Sequence, residues 1–422
     1  MKLLARFRCV FCACALLTVS VIATFVVLTN STVHAAAAVY YVSPTGSDSG
    51  PGTQGQPFRT ISRGASALMP GDTLRVRPGT YVEHLENNIP SGLDWSRPVT
   101  IMADDPSNRP VIIAPTSGAY RVLSFSGQSY IIISDLVLDG NSDGANGRGV
   151  LDNTVKITDH SHHIRMQNCE VKNALDNGLV ISTADFNEVI GCEVHHNGVL
   201  YGAGHGIYIT GSDNVVDHTA SHDNAEYGVH SYDESTPSHC NRNTIKFSKL
   251  YNNGRAGARN GGGFGLFSGD GHTAFNNLVY GNIRGIVIDY GASNAQVYNN
   301  TVYGNTYNGY EALYNGAGSS RAVIRNNIVY ANTVNGIANV GGATADHNIT
   351  VNPSFVNAAA GDFHLKSGSP AIDAGMTLPQ VSTDMDNTPR PQGASGDPGA
   401  YEYSTGSAQT PPSRPATPRQ IG

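Results

Sequence analysis

Apolar and polar positions alternate in runs of strand length along most of this chain, and the runs recur. The clearest copies are Ala274-Phe-Asn-Asn-Leu-Val-Tyr-Gly-Asn282, Val297-Tyr-Asn-Asn-Thr-Val-Tyr-Gly-Asn305 and Ile324-Arg-Asn-Asn-Ile-Val-Tyr-Ala-Asn332. Anchoring the unit on Asn168, Gly191, His218, Ser248, Asn277, Asn300 and Asn327 gives intervals of 23, 27, 30, 29, 23 and 27 residues. A period in the twenties built from strand-length segments predicts a solenoid, in which each coil stacks on its neighbours. Val99-Thr-Ile-Met, Pro110-Val-Ile-Ile, Tyr130-Ile-Ile-Ile and Leu136-Val-Leu-Asp read as strands of earlier coils, which brings the expected total to about nine to eleven. The Asn-Asn pairs read as structural, because buried Asn side chains can hydrogen-bond from coil to coil at the turns.

Composition agrees with many short strands and tight turns: charged residues are 14%, with 48 Gly and 20 Tyr. The first 35 residues read as a secretory signal, with Lys2, Arg6 and Arg8 ahead of an apolar stretch from Val10 to Leu28 and a small-residue cleavage site at Val33-His34-Ala35. Its removal leaves 23 basic against 33 acidic residues, a net −10 that disfavours nucleic acid as a partner. Cys9, Cys12 and Cys14 leave with the signal. Cys169 and Cys192 each follow a repeat anchor and are expected to stack as buried free thiols.

The segment Tyr40 to about Leu85 differs from the repeats. It contains Tyr40-Tyr-Val-Ser-Pro-Thr-Gly-Ser-Asp48, a helical stretch over Thr60–Leu68 with Ile61, Ala65 and Leu68 on one face, and Pro70-Gly-Asp-Thr-Leu-Arg-Val-Arg-Pro-Gly-Thr-Tyr81. It resembles the N-terminal module of secreted bacterial right-handed parallel β-helix proteins of the pectate-lyase-like superfamily. The repeats are similar to the right-handed β-helix repeat, and Asp362-Phe-His-Leu-Lys-Ser-Gly-Ser-Pro-Ala-Ile-Asp-Ala-Gly375 resembles the closing segment of such proteins. The expected architecture is therefore all-β, a right-handed parallel β-helix. It comprises a signal (1–35), a cap with a short helix and the first coil (40–95), the β-helix (96–350), a closing segment (351–403) and a disordered Pro/Ser/Thr-rich tail (404–422).

Strand register nominates a site, because side chains two apart share a face. Stepping one residue on from Gly178, Gly206, Gly228, Gly263, Gly285, Gly309 and Gly336 gives an inward column: Leu179, Ile207, Val229, Phe264, Ile286, Tyr310 and Ile337. Two steps on, the outward column reads Val180, Tyr208, His230, Gly265, Val287, Glu311 and Ala338. Four steps on, it reads Ser182, Thr210, Tyr232, Phe267, Asp289 and Leu313. Tyr208, His230 and Tyr232 are the candidate catalytic residues. His205, Arg259, Arg284, Asp289 and Phe267 are the candidate substrate contacts. Extra residues at Val199–Gly204, Asp233–Cys240 and Asn252–Gly262, the last bringing Arg255 and Arg259, would wall a groove beside His230.

The resemblance implies an extracellular polysaccharide as partner and β-elimination on a uronate polymer as the reaction. That chemistry needs a base for the C5 proton, an acid for the leaving oxygen and a cation for the carboxylate. His230 fits the base, Tyr208 or Tyr232 the acid, and Arg284 or Arg259 the cation. Gly262-Gly-Phe-Gly-Leu-Phe267 resembles the base-bearing strand of one calcium-dependent pectate lyase family, but Gly265 stands where that family has Lys, so that mechanism does not carry over. Asp139-Gly-Asn-Ser-Asp-Gly144 has the spacing of a calcium loop through Asp139, Asn141 and Asp143, with Val150 where the final acid belongs. Calcium is thus the one candidate cofactor. A non-catalytic glycan-binding or surface solenoid is the rival class, and uronate epimerisation or glycoside hydrolysis through Asp289 and Glu311 are further alternatives. The mature chain is expected to be secreted or at the cell surface, and monomeric.

Overall fold

The computed structural model describes residues 36–115, 121–142, 152–198, 204–255, 261–307, 312–334 and 336–405. The signal segment, Asp143, Arg259, Tyr310, Glu311 and nearly all of the tail lie outside them. Residues from Ala37 onward form one compact unit. Three parallel sheets of 12, 10 and 10 strands run its length, and each strand pairs with strands of the coils before and after it. The first sheet starts at Val39–Val42, the second at Leu85–Glu86 and the third at Thr80–Val82. This is a parallel β-helix. A short helix, Ile61–Ala65, is capped by the Thr60 side chain, which accepts from the Arg63 N–H, and it buries Ile61 and Ala65.

Alternation within each strand fills the interior with one continuous apolar stack. In the second sheet Leu179, Ile207, Val229, Phe264, Ile286, Leu313 and Ile337 are successive partners, so the inward column forms as its spacing predicts, with one substitution. Leu313 holds the core position and Tyr314 the outward one, the two places that the spacing assigned to Tyr310 and Glu311. The cause is local. Ala312 occupies the position that glycine holds in neighbouring coils, its carbonyl receiving the Ile286 N–H at 2.8 Å, so counting from Gly309 is three residues out. Leu313 therefore leaves the outward column assigned to it.

The Asn-Asn pairs divide two tasks. The first residue turns the corner with positive φ, 53° at Asn276, 51° at Asn299 and 56° at Asn326, a conformation Asn tolerates better than most residues. The second is buried, and its side chain accepts the backbone N–H of the coil before: Asn277 N to Asn300 Oδ1 at 3.0 Å, Asn300 N to Asn327 Oδ1 at 2.9 Å. In earlier coils Cys169, Cys192, Thr219 and Ser248 hold this second position, with Asn168, Gly191, His218 and Phe247 as the turn residues. The repeat anchors thus change register between His218 and Ser248, and the turn-to-turn interval there is 29. Cys169 and Cys192 are buried free thiols on adjacent coils.

A second ladder, Asn197–Asn224–Asn253–Asn282–Asn305–Asn332, follows the third sheet, and a third, Asn187–Asn214–Asn243, precedes the first. The segment after the last coil packs Phe355, Phe363, Leu365 and Tyr401 against Tyr280, Tyr303 and Tyr330 on the outer face of the third sheet. It is pinned there by hydrogen bonds from Asn276, Asn299 and Asn326.

Candidate functional site

Tyr208 pairs with His230 across the second sheet, His230 with Gly265, and Phe267 with Asp289. The aromatic rings close around His230. Its centroid lies 5.3 Å from Tyr208, 5.1 Å from Tyr227, 5.6 Å from Tyr232 and 4.9 Å from Phe267, the last edge-on. Gly265 makes the enclosure possible. A Cβ built there would meet His230 Cδ2 at 3.2 Å and Phe267 Cε1 at 3.3 Å, so a side chain at this position would press on both rings.

His230 is only 8% exposed. Its Nδ1 lies 2.9 Å from His205 Nε2, and His205 Nδ1 in turn accepts the Tyr227 backbone N–H at 3.2 Å. Burial holds both imidazoles neutral, His205 down at about 3 and His230 well below its ordinary value. The hydrogen-bond directions then follow. A backbone N–H only donates, so His205 carries its proton on Nε2 and gives it to His230 Nδ1. His230 must keep its own proton on Nε2, at the end of the ring remote from the backbone, and that atom is buried with no hydrogen-bond partner among the described residues. An unsatisfied buried N–H costs about 1–3 kcal/mol. It is also a donor ready for an incoming acceptor.

Tyr208 remains a phenol, because burial, with Asp233 adding to it, pushes the group up to about 12. Arg284 lies in the next column, paired with Gly262, and its guanidinium is 4.9 Å over the Tyr307 ring. The same cation offsets part of the effect of burial on Tyr227, which still rises to about 12. Asp289 sits two coils beyond Tyr232, as its spacing predicts, and its carboxylate accepts the Gly318 N–H at 3.0 Å. Phe267 is nearly buried and forms a wall of the enclosure with Tyr290 at 4.8 Å. Arg255 is within electrostatic reach of His196 and Asp223, at the third-sheet side.

Of the calcium-loop candidates Asp139, Asn141 and Asp143, the last lies outside the described residues. Asp139 Oδ1 accepts the Asn141 N–H at 2.8 Å and Asn173 Nδ2 at 2.9 Å, closing an Asx turn. Among the described residues no group of three or more His, Cys, Asp or Glu side chains is arranged to hold a metal ion.

Several residues of the site escape a column-by-column reading of the sequence. Tyr227 stacks on His230 from the neighbouring column, and Tyr290, 62% exposed, extends the aromatic surface from a turn. Glu226 Oε2 is 3.3 Å from His205 Nε2. With His205 neutral this contact is not an ion pair. Burial, with the Asp176 charge adding to it, raises Glu226 to about 7, and burial together with Asp152 raises Asp176 to about 6. Both acids belong to the turn that enters the second sheet.

A family model described as "Pel9A-like, right handed beta helix region" matches residues 40–366. The chain belongs to this family. Its coils are therefore right-handed, the usual hand for parallel crossovers. The structure of pectate lyase Pel9A superposes with a TM-score of 0.67 at 20% identity, over 88% of this chain and 97% of that one. A rhamnogalacturonan lyase gives 0.58 at 16% identity, over 76% and 91%. An alginate lyase from Paenibacillus sp. str. FPU-7 gives 0.51 at 18% identity, over 68% and 96%. Among curated sequences, protein YwoF of Bacillus subtilis (strain 168), described as uncharacterized, is 43% identical over 60 residues, which span 14% of this chain and only 12% of that protein. Among the described residues no helix is long and apolar enough to cross a membrane.

Proposed function

We propose that this is a secreted polysaccharide lyase that cleaves a uronate-containing polymer by β-elimination at the outward face of the second sheet. The observation that carries the reading is the directed pair His205–His230, which leaves one buried N–H, amid Tyr208, Tyr227 and Tyr232, without a partner among the described residues. The hydrogen-bond directions exchange the roles that residue type alone suggests. His230 Nε2–H delivers the proton to the leaving glycosidic oxygen. Tyr208, its neighbour in the same column, takes the C5 proton as phenolate, and Arg284 beside Tyr227 faces the carboxylate. A base that ionises only near 12 is scarce at neutral pH but strong, so turnover is expected to climb with pH. The fold neighbours include three lyases, each acting on the polymer its name states, which supports the substrate class.

Hydrolysis is the second reading, favoured by the raised carboxyls of Asp176 and Glu226, since glycoside hydrolases work with an acid pair. One experiment separates the two. Polygalacturonate, rhamnogalacturonan and alginate are each incubated with the full chain, following both new reducing ends and the ultraviolet absorbance of unsaturated uronate. Elimination gives both signals together. Reducing ends without absorbance would assign hydrolysis, and binding without cleavage of any polymer would remove the lyase reading.

A further inference from the structure

We propose that Tyr290 and Tyr232 form a stacking platform for an uncharged sugar residue of the bound polymer, on the same face as the uronate that the elimination acts on. The uronate rests on the function proposed above; the platform does not.

The register of the second sheet places Asp159, Thr183, Ser268 and Tyr290 in one turn column, each just after a strand. All four have left-handed backbones, with φ between 50° and 59°. Three are small and polar. Tyr290 is a large aromatic, for which this conformation is strained, and at 62% exposed it gains little burial to offset that strain. Among the described residues the other Tyr and Phe side chains on such backbones each lie flat against a ring of an adjoining coil. Tyr130 meets His163 at 4.7 Å and 24°, Phe186 meets His163 at 5.6 Å and 21°, and Phe247 meets His218 at 5.0 Å and 18°. Tyr290 does not. Its column neighbours are Ser268 and, from the pairing of Ile288 with Asn315, Ala317. The rings it touches are tilted, Phe267 by 47° at 4.8 Å and Tyr232 by 55° at 6.0 Å. A flat face of Tyr290 is therefore left for a molecule from outside the chain.

The charges beside the platform select the kind of sugar. Asp289 precedes Tyr290; its Oδ1 accepts the Gly318 N–H at 3.0 Å, and its Oδ2 has no hydrogen bond among the described residues. At Tyr232 burial pushes the phenol up, and Glu234, Tyr290 and Asp233 add to it, so acids face this ring as well. Carboxylates accept from hydroxyls and repel other carboxylates. Arg284, which faces the uronate, opens the strand that Asp289 closes, five residues or roughly 16 Å away at strand rise. That separation leaves room for two different sugar residues. One end of the strand thus suits an acid, and the other suits a ring with an apolar C–H face to stack and hydroxyls to donate. A polymer that alternates uronate with neutral sugar meets both demands. A homopolymer of uronate sets a carboxylate against Asp289.

Calorimetric titration of the full chain tests this with two probes of matched length, oligosaccharides that alternate rhamnose with galacturonate and oligogalacturonates, each titrated cold before unsaturated product absorbs. Wild type should bind the alternating probe more tightly. Tyr290→Asn, a residue that tolerates the left-handed backbone, should weaken that probe about tenfold and the oligogalacturonate less than about twofold, with no fall in unfolding temperature. Asp289→Asn keeps an acceptor for Gly318 and removes the charge, so it should tighten the oligogalacturonate about two- to fivefold. Equal wild-type affinities, equal losses for the two probes, no binding of either, or a lower unfolding temperature in Tyr290→Asn would overturn the platform. So would a wild-type dimer that Tyr290→Asn converts to a monomer in light scattering, since the open ring would then belong to a second copy of the chain. Elimination is followed separately. Selective binding without elimination supports this inference and removes the lyase reading; elimination with binding unmoved by Tyr290→Asn does the reverse.

Discussion

Replacing Asn300 with Ala probes what holds the coils together. Its side chain is fully buried and makes five hydrogen bonds. Oδ1 accepts from Asn277 N and Asn277 Nδ2 at 3.0 and 2.9 Å, and Nδ2 donates to Ala274 O, Tyr298 O and Asn327 Oδ1, each at 3.0 Å. Alanine leaves the Asn277 backbone N–H and one amide N–H of its side chain without acceptors, in a place water does not reach. At about 1–3 kcal/mol for each orphaned group, the variant should lose about 2–5 kcal/mol. Serine is the control. In the same ladder Ser248 Oγ accepts the Thr219 N–H at 3.2 Å, so Asn300→Ser should recover the backbone bond and lose about half as much. Because each coil contacts only its neighbours, Asn277→Ala combined with Asn300→Ala should cost less than the sum, by about 1 kcal/mol or more. Urea unfolding of the wild type, Asn277→Ala, Asn300→Ala, Asn300→Ser and the double variant, compared at a common slope, gives these differences. A loss under about 1 kcal/mol for Asn300→Ala, or equal losses for Ala and Ser, would refute the view that directed side-chain to backbone bonds define the ladder.

Three other outcomes are expected. Gly265→Lys should destabilise the chain by about 1–3 kcal/mol in thermal unfolding, since its Cβ would crowd His230 and Phe267, and should not raise elimination activity; a gain in turnover would mean the enclosure opens. Glu170 is held down at about 2 by His195, Lys172 and Arg109, so its contribution is complete above the ordinary carboxylate value and is lost as pH falls through 2. Glu170→Gln should therefore cost about 1–2 kcal/mol at neutral pH, discounted for solvent screening, with the gap to wild type closing in acid unfolding experiments. Glu226 has the opposite sign. Its value of about 7 lies above the unfolded one, so wild type loses stability as pH rises through 7, and Glu226→Gln should be the more stable protein on the alkaline side by about 1–2 kcal/mol and equal to it below the ordinary Glu value.

Much of this architecture is legible in the sequence because a solenoid converts spacing into contact. Alternation predicted that Leu179, Ile207 and Val229 stack inward while Tyr208 and His230 stand side by side, and these are the pairings found. The reading slipped where one residue type stands in for another. Ala312 replaces the expected glycine and moves Leu313 into the core, and His218 is a turn residue where Ser248 is a ladder residue. Hydrogen-bond direction was not legible at all. That His230 accepts at Nδ1 and carries its proton on Nε2 depends on a backbone N–H at Tyr227 reaching His205, a fact of three-dimensional geometry. Glu226 escaped for a related reason: it sits in the turn, where strand alternation does not say which way a side chain leans. The fold-back of Phe355, Phe363 and Tyr401 onto the third sheet likewise joins segments far apart in the chain and outside the repeat.

In the proposed elimination, the decisive role of the His230 N–H is to donate the proton. It is tested most directly by comparing His230→Phe with wild type on the uronate polymer the wild type cleaves. Phenylalanine keeps the ring among Tyr208, Tyr227 and Phe267 but has no nitrogen to give a proton. Unsaturated product should then form at least about a hundredfold more slowly, the lower end of what a positioned acid contributes, while the unfolding temperature stays close to that of wild type. Retained turnover in a folded His230→Phe protein would place the chemistry elsewhere on the solenoid.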